Sequence, residues 1–253
     1  MRHKREVIFG SAILIIATLA FLLGWTNLFT VQAVSVTGSP NSELTKQVLQ
    51  ISNVHEGEKL ARIEPRNIAS KLHLNGSKVL LVDSDPQGSA RDWHAVGNSE
   101  IAVIGMDRPT LERDVKKIAN DFDWVIIDGA PQLTNMAVSA IKCSDLIIIP
   151  VQPSPYDIWA SEELVDVIKH RQQITDGNPK AYFCISRRIS TTSLSSEVTE
   201  ALKGYSMPIM KSYTSQRIAY AKSAAEGQSV FDTTNNDAIY EITNIVNEIK
   251  EIL

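Results

Sequence analysis

Asp83 and Asp85 stand one residue apart at the end of an apolar run, in VLLVDSDPQGS (79–89), and a Pro-Gln-Gly turn follows them. Carboxylates beyond the carboxyl end of a buried strand lie where open α/β sheets bind ligands, and their oxygens suit a hard cation such as Mg²⁺. Asp128 ends a second apolar run, in DWVIIDGAP. A third run, DLIIIPVQPSPYD, is followed by Pro150, Gln152, Pro153 and Asp157, and a fourth, KAYFCISRR, ends in Arg187 and Arg188. Carboxylates and arginines on one rim suit a nucleotide phosphate with its metal. Each aspartate alone reads as a turn or cap residue. Their recurrence at strand ends is what suggests a site.

The elements that must hold these residues alternate. From Lys78 on, apolar runs (VLLVDSD, EIAVIGM, DWVIIDGA, DLIIIPVQPS, KAYFCISRR) are separated by segments with helical spacing. These segments are 109–121, 135–144 and 158–174, the last with Ile158, Leu164, Val165 and Ile168 as its apolar stripe. Continuous Val/Ile/Leu runs indicate strands buried on both faces. Strands alternating with helices predict an α/β fold with a doubly wound, mostly parallel sheet. Ile239, Ile242, Ile245, Val246, Ile249 and Ile252 predict an amphipathic terminal helix, with core packing as its default role.

Composition narrows the class. The chain has 253 residues with a formal net charge of −4, which argues against a dominant nucleic-acid surface while leaving room for a local basic patch. Cys143 and Cys184 are distant and lie in or beside apolar runs, so buried thiols are expected rather than a disulfide framework or a zinc site. His3, His55, His73, His94 and His170 show no ligand-like spacing.

The first seventy residues differ in character. Val7–Trp25 carries no charge, and the next charge after Glu6 is Glu43. Such a run is long enough to cross a bilayer as a helix and longer than the apolar core of a secretory signal. Arg2, Lys4 and Arg5 before it predict a single-pass membrane protein with its amino end in the cytoplasm. VQAVSV (31–36) alternates like a half-exposed strand, Asn41 or Ser42 can cap a helix through Ile51, and Pro65 suits the first turn of a helix over RNIASKL.

Two family resemblances sit on these residues. The stretch LFTVQAVSVTGSPNSELTKQVLQISNVHEGEKLARIEPRNIASKL, behind a basic tail and an apolar span, looks like the start of the FtsQ/DivIB division proteins and part of their POTRA module, over about residues 1–72. The later stretches VLLVDSDPQGSARDW, DWVIIDGAP, SDLIIIPVQPSPYDIWASEELV and TSQRIAYAKSAAEGQSVFD resemble the ParA/MinD partition ATPases of the small ParF type, over about residues 76–253. The second resemblance implies ATP and Mg²⁺ as cofactors, with Asp83 and Asp85 in the catalytic switch, Gln87 beside them, and Asp85 with Asp128 at the metal. It implies that Pro150, Gln152, Pro153, Asp157, Arg187 and Arg188 flank the nucleotide, and it points to Gln216 and Arg217 as the family's Gln-Arg element. It further implies a homodimer, a ParB-like activator and non-specific DNA as partners, with the membrane added through residues 7–25.

The expected order is therefore a basic tail and membrane helix (1–29), a partial POTRA-like segment (30–73), a junction (74–77) and a ParA-like ATPase domain (78–253). One expected part is missing. No K-G-G-x-G-K-[ST] string, the Gly-rich loop that the ParA/MinD resemblance implies and whose backbone N–H groups would cradle phosphates, occurs anywhere in the chain. VQAVSV could stand in for the strand before that loop, but Gln32 and Ser35 suit a doubly buried strand poorly. The expectation is a partition-type ATPase domain with impaired hydrolysis, the alternative being an FtsQ-like membrane-anchored division protein. DNA binding through Arg187, Arg188, Lys211, Arg217 and Lys222 forms a third class, weighed against an ordinary solvated surface.

Overall fold

Asp83 and Asp128, the two strand-ending aspartates of the sequence, lie side by side on adjacent parallel strands. The structure is a computed structural model that describes residues 65–129, 134–189 and 194–253, with 194–197 described in backbone only. The described residues belong to one unit, Ala61–Leu253. The apolar span 7–25, the strand-like 31–36 and the helix through Ile51 lie outside them. Among the described residues no helix is long and apolar enough to cross a membrane.

The order is α1 (Pro65–Leu74), β1 (Val79–Asp83), α2 (Ser89–Val96), β2 (Ala102–Gly105), α3 (Leu111–Ile118), β3 (Trp124–Asp128), α4 (Asn135–Cys143) and β4 (Leu146–Val151). Then follow α5 (Pro155–Ala160), α6 (Glu162–Ile174), β5 (Lys180–Ile185), α7 (Leu194–Lys203), α8 (Ile218–Ala225) and α9 (Asn236–Ile252). All ladders are parallel. One runs β2-β1-β3, and the other pairs β4 with β5. Among the described residues no ladder joins β3 to β4.

β1 shows why its sequence is apolar without alternation. Val79 and Leu81 enter one core with Ile68, Ala69 and Leu72 of α1 and Ile242, Ile245, Val246 and Ile249 of α9. Leu80 and Val82 enter another with Leu111 and Val115 of α3. With helices on both faces, every residue of the strand must be apolar until the carboxyl rim. The same division holds on β5, where Cys184 joins the α1–α9 core and Ala181, Phe183 and Ile185 meet Val165 and Ile168 of α6.

Three differences from the sequence reading stand out. The helix over RNIASKL, expected in the POTRA-like segment, packs inside the α/β unit, and Asn67 Oδ1 accepts the Val230 N–H at 2.9 Å. The α/β unit thus begins upstream of Lys78. The helix expected over 158–174 breaks at Ser161, whose hydroxyl bonds the Ile158 carbonyl at 2.7 Å. An unexpected helix, α2, follows the D-x-D-P-Q-G turn.

Beyond β5, the segment 208–216 runs alongside it through bonds such as Met210 N–H to the Phe183 carbonyl and Thr214 N–H to the Ile185 carbonyl. Its outward N–H groups are taken by α9. Glu248 accepts from Lys211 and Ser212 at 2.7 Å each, and Glu241 accepts from Ser215 at 3.1 Å. Carboxylates thereby blunt what would otherwise be an open sheet edge.

Candidate functional site

The carboxyl rim gathers the sequence-predicted residues in two groups, one on each ladder. In the first, β1 and β3 end in register at Asp83 and Asp128. Ser84 ties them, donating both its N–H (2.9 Å) and its hydroxyl (2.8 Å) to the Asp128 carbonyl. Asp83 and Asp85 are fully buried, Asp128 nearly so, and Gln87 is exposed. Asp85 Oδ1 accepts the Gln87 N–H at 2.9 Å, and the Asp85 carbonyl accepts the Gly88 N–H. This is the aspartate-initiated turn expected of Asp-Pro-Gln-Gly, with Gly88 at φ +70°.

Asp83 has a structural task. The N-cap of α2 is Gly88, which offers no side chain to the first turn. Asp83 replaces it from the strand end. Its Oδ2 accepts the Arg91 N–H at 2.9 Å, and its Oδ1 accepts the Asp85 N–H at 3.2 Å. A carboxylate at a helix N-terminus is favoured by the exposed N–H groups and the helix dipole. The Arg91 side chain then folds back over the same carboxylate, with Nε 3.4 Å from Asp83 Oδ2, Nη2 3.4 Å from the Asp85 carbonyl and Nη2 3.7 Å from Asp107. Arg91, Asp107 and Gly105 went unremarked in the sequence. The available signal was a basic residue in the helix that follows an aspartate-bearing strand end.

The second group closes the β4 and β5 ends. Pro150 lies in β4, Gln152 and Pro153 lie in the loop into α5, and Asp157 lies in the first turn of α5. Asp157 Oδ2 accepts the Gln152 N–H at 3.1 Å. Burial raises the Asp157 carboxyl above the usual carboxylate range, against the pull of that N–H and of the nearby Arg187 charge. Arg187 takes a left-handed conformation at φ +52°, and its N–H meets the Thr214 hydroxyl. Arg188 stacks its guanidinium 4.6 Å above the Tyr213 ring. The Gln216 N–H bonds the Arg188 carbonyl. Arg217 is committed elsewhere, to Asp237 and Glu241 at 2.9 Å each. Its charge is thus already matched within the fold, which leaves the expected DNA-binding set one cation poorer.

Oxygen donors at strand ends are the right chemistry for Mg²⁺. Yet Asp83 already receives two backbone N–H groups and a guanidinium, and among the described residues no three acidic, histidine or cysteine side chains converge in a metal-holding arrangement. As placed, these residues do not make the metal site expected of Asp85 and Asp128.

The AAA domain family model AAA_31 matches residues 93–180. Maintenance of carboxysome distribution protein A of Halothiobacillus neapolitanus is 30% identical over 192 residues, covering 72% of this chain and 87% of that protein. Sporulation initiation inhibitor protein Soj of Bacillus subtilis is 23% identical over 145 residues, covering 41% of this chain and 57% of Soj. Among solved structures, the cell division ATPase MinD of Pyrococcus furiosus superimposes with a TM-score of 0.59 at 17% identity, covering 75% of this chain and 92% of MinD. Cyanothece McdA in complex with ATP superimposes at 0.60 with 15% identity, covering 74% and 90%. MinD of Pyrococcus horikoshii in complex with Mg-ADP superimposes at 0.59 with 14% identity, covering 74% and 89%. The structural likenesses show a shared parallel-sheet α/β fold of the P-loop NTPase kind. With a relative at 30% identity matched along most of its length, the chain belongs to the ParA/MinD-type family of ATPase domains.

Proposed function

We propose that this chain is a partition- or positioning-type ATPase domain that receives a nucleotide at the carboxyl rim and hydrolyses it poorly. The observation that carries this reading is the in-register pair of buried strand ends, Asp83 with Asp85 and Asp128, together with the Arg187 charge near Asp157 at the ends of the other ladder. Relatives named for carboxysome distribution, sporulation control and plasmid partition support the positioning class. Impairment follows from the absent K-G-G-x-G-K-[ST] string. A phosphoryl transition state is held almost wholly by positioned N–H groups and cations, so losing the cradle removes most of that hold. Turnover of ATP by the purified chain should not exceed that of its Asp128→Ala variant. Turnover well above that control, lost on Asp85→Ala, would show that another segment supplies the grip.

The charge-free span Val7–Trp25 supports a second reading, an FtsQ-like membrane-anchored division protein carrying this domain. A fluorescently tagged chain should then collect at the septum and lose that localisation when residues 31–60 are deleted, a deletion that spares α1. Diffuse fluorescence of the full chain would dismiss it.

A further inference from the structure

β3 and β4 are as apolar as β1 but are not covered like it. Val79, Leu80, Leu81 and Val82 of β1 are buried, whereas residues 124–127 of β3 and 146–148 of β4 remain half-buried. The faces of these strands do have helices on them. Trp124 and Ile126 of β3, with Leu146 and Ile148 of β4, pack against the α1–α9 core. On the other face, α4 meets both ladders. Its Ala140 and Cys143 lie with Val125 and Ile127, and its Ile141 lies with Ile149. The uncovered parts are the edges. β1 takes one edge of β3, β5 takes one edge of β4, and among the described residues no strand pairs with the other edge of either. Two parallel strands beneath shared helical layers thus border one gap, with unpaired backbone on both sides.

We propose that this gap is a docking slot for a strand donated by another polypeptide. The donor is an aliphatic run matched to the five residues of β3, parallel to β3 and β4, and followed by a basic residue. Each part of that description comes from the walls. The unpaired edges call for extended backbone, and main-chain hydrogen bonds on two sides supply affinity. Helices on both faces call for Val, Ile or Leu at every position rather than at alternate ones. The carboxyl end of the slot lies level with Asp128, which favours a basic residue there and repels an acidic one. The chain as folded leaves the walls half-exposed, so the donor is assigned to a separate polypeptide. Nothing in this inference depends on nucleotide binding.

The test is fluorescence anisotropy of a labelled, acetylated and amidated peptide, TVIVIVKKK, added to the full chain, with hydrogen exchange followed by mass spectrometry. The peptide should bind, slow the exchange of backbone N–H groups in β3 and β4, and leave those of β2 unchanged. TVIPIVKKK lacks a central N–H and breaks the pairing, so it should bind at least about tenfold more weakly. KKKTVIVIV, with its charges moved to the far rim, should also bind more weakly. Failure of TVIVIVKKK to bind, or protection confined to β2, overturns the proposal. Equal binding of the proline peptide overturns strand pairing, and equal or tighter binding of KKKTVIVIV overturns the parallel direction. Exchange in β3 and β4 that is already as slow as in β1 without peptide overturns the separate donor. If it stays slow on dilution, this chain closes its own slot, and if it quickens, a second copy does.

Discussion

On α9 the buried Glu241 carboxylate accepts from the Arg217 guanidinium, the Tyr220 hydroxyl at 2.7 Å and the Ser215 N–H. Burial alone would raise its pKa, but the donors from Arg217, Ser215 and Tyr220 outweigh burial and leave it below the usual carboxylate range. Burial, reinforced by the neighbouring carboxylate, pushes the Tyr220 phenol well up. Because the folded Glu241 value is depressed, its stabilisation is complete above the unfolded carboxylate value and is lost as pH falls through the folded one. Urea midpoints should therefore drop between about pH 5 and pH 3, and Glu241→Gln should flatten that part of the curve. Arg217→Ala leaves the carboxylate buried without the guanidinium that donates twice to its Oε1 and should cost about 2–3 kcal/mol by denaturant titration. An unchanged midpoint would mean that the side chain relaxes into water. At this scale the sequence was legible in part. Asp83, Asp85 and Asp128 could be singled out because apolar runs ended on them. Arg91 could not, because its partners lie at the end of β1 and just past β2, outside its own helix.

The segments around α2 show what element packing adds. The helix is pinned at its start by Asp83 and near its end by Trp93, whose indole N–H bonds the Gln228 carbonyl at 2.9 Å. Just past it, Gly97 lies against Gly227. A Cβ on Gly97 would stand 1.9 Å from the Gly227 carbonyl oxygen, a backbone atom that cannot step aside. Gly97→Ala should therefore destabilise the fold by about 3 kcal/mol, readable as a lowered melting midpoint. Gly105→Ala should cost far less, since its neighbour is a movable guanidinium. Similar midpoints for the two would contradict the close approach. The strands were easier to foresee than α2. Val-Leu-Leu-Val buried on both faces admits little else, whereas SARDWHAV reads as a helix only once Asp83 is known to cap it.

Across the whole molecule, the helices that cover the strands also seclude the thiols. Burial, with the Glu112 charge as a lesser cause, pushes Cys143 up to about 11. Burial pushes Cys184 up to about 12, with Glu248 adding to it. Since the thiolate is the nucleophile, iodoacetamide at about pH 8 should alkylate both in the native chain on the order of a hundredfold more slowly than in denaturant. Rapid native labelling of Cys184 would mean that the α1–α9 core opens far more readily than its packing suggests.

The α/β class, all five strand segments, the terminal helix and the strand-end acids were determined by the sequence alone, because local periodicity and continuous apolar runs leave few alternatives. Only the tertiary structure decided that RNIASKL belongs to the α/β unit, that Arg217 is consumed by α9, and that Arg91 occupies the acid cluster. Each of these is a pairing between residues or elements separated along the chain. Such pairings are set by which apolar faces and buried charges find partners across the fold, and no window of neighbouring residues records them.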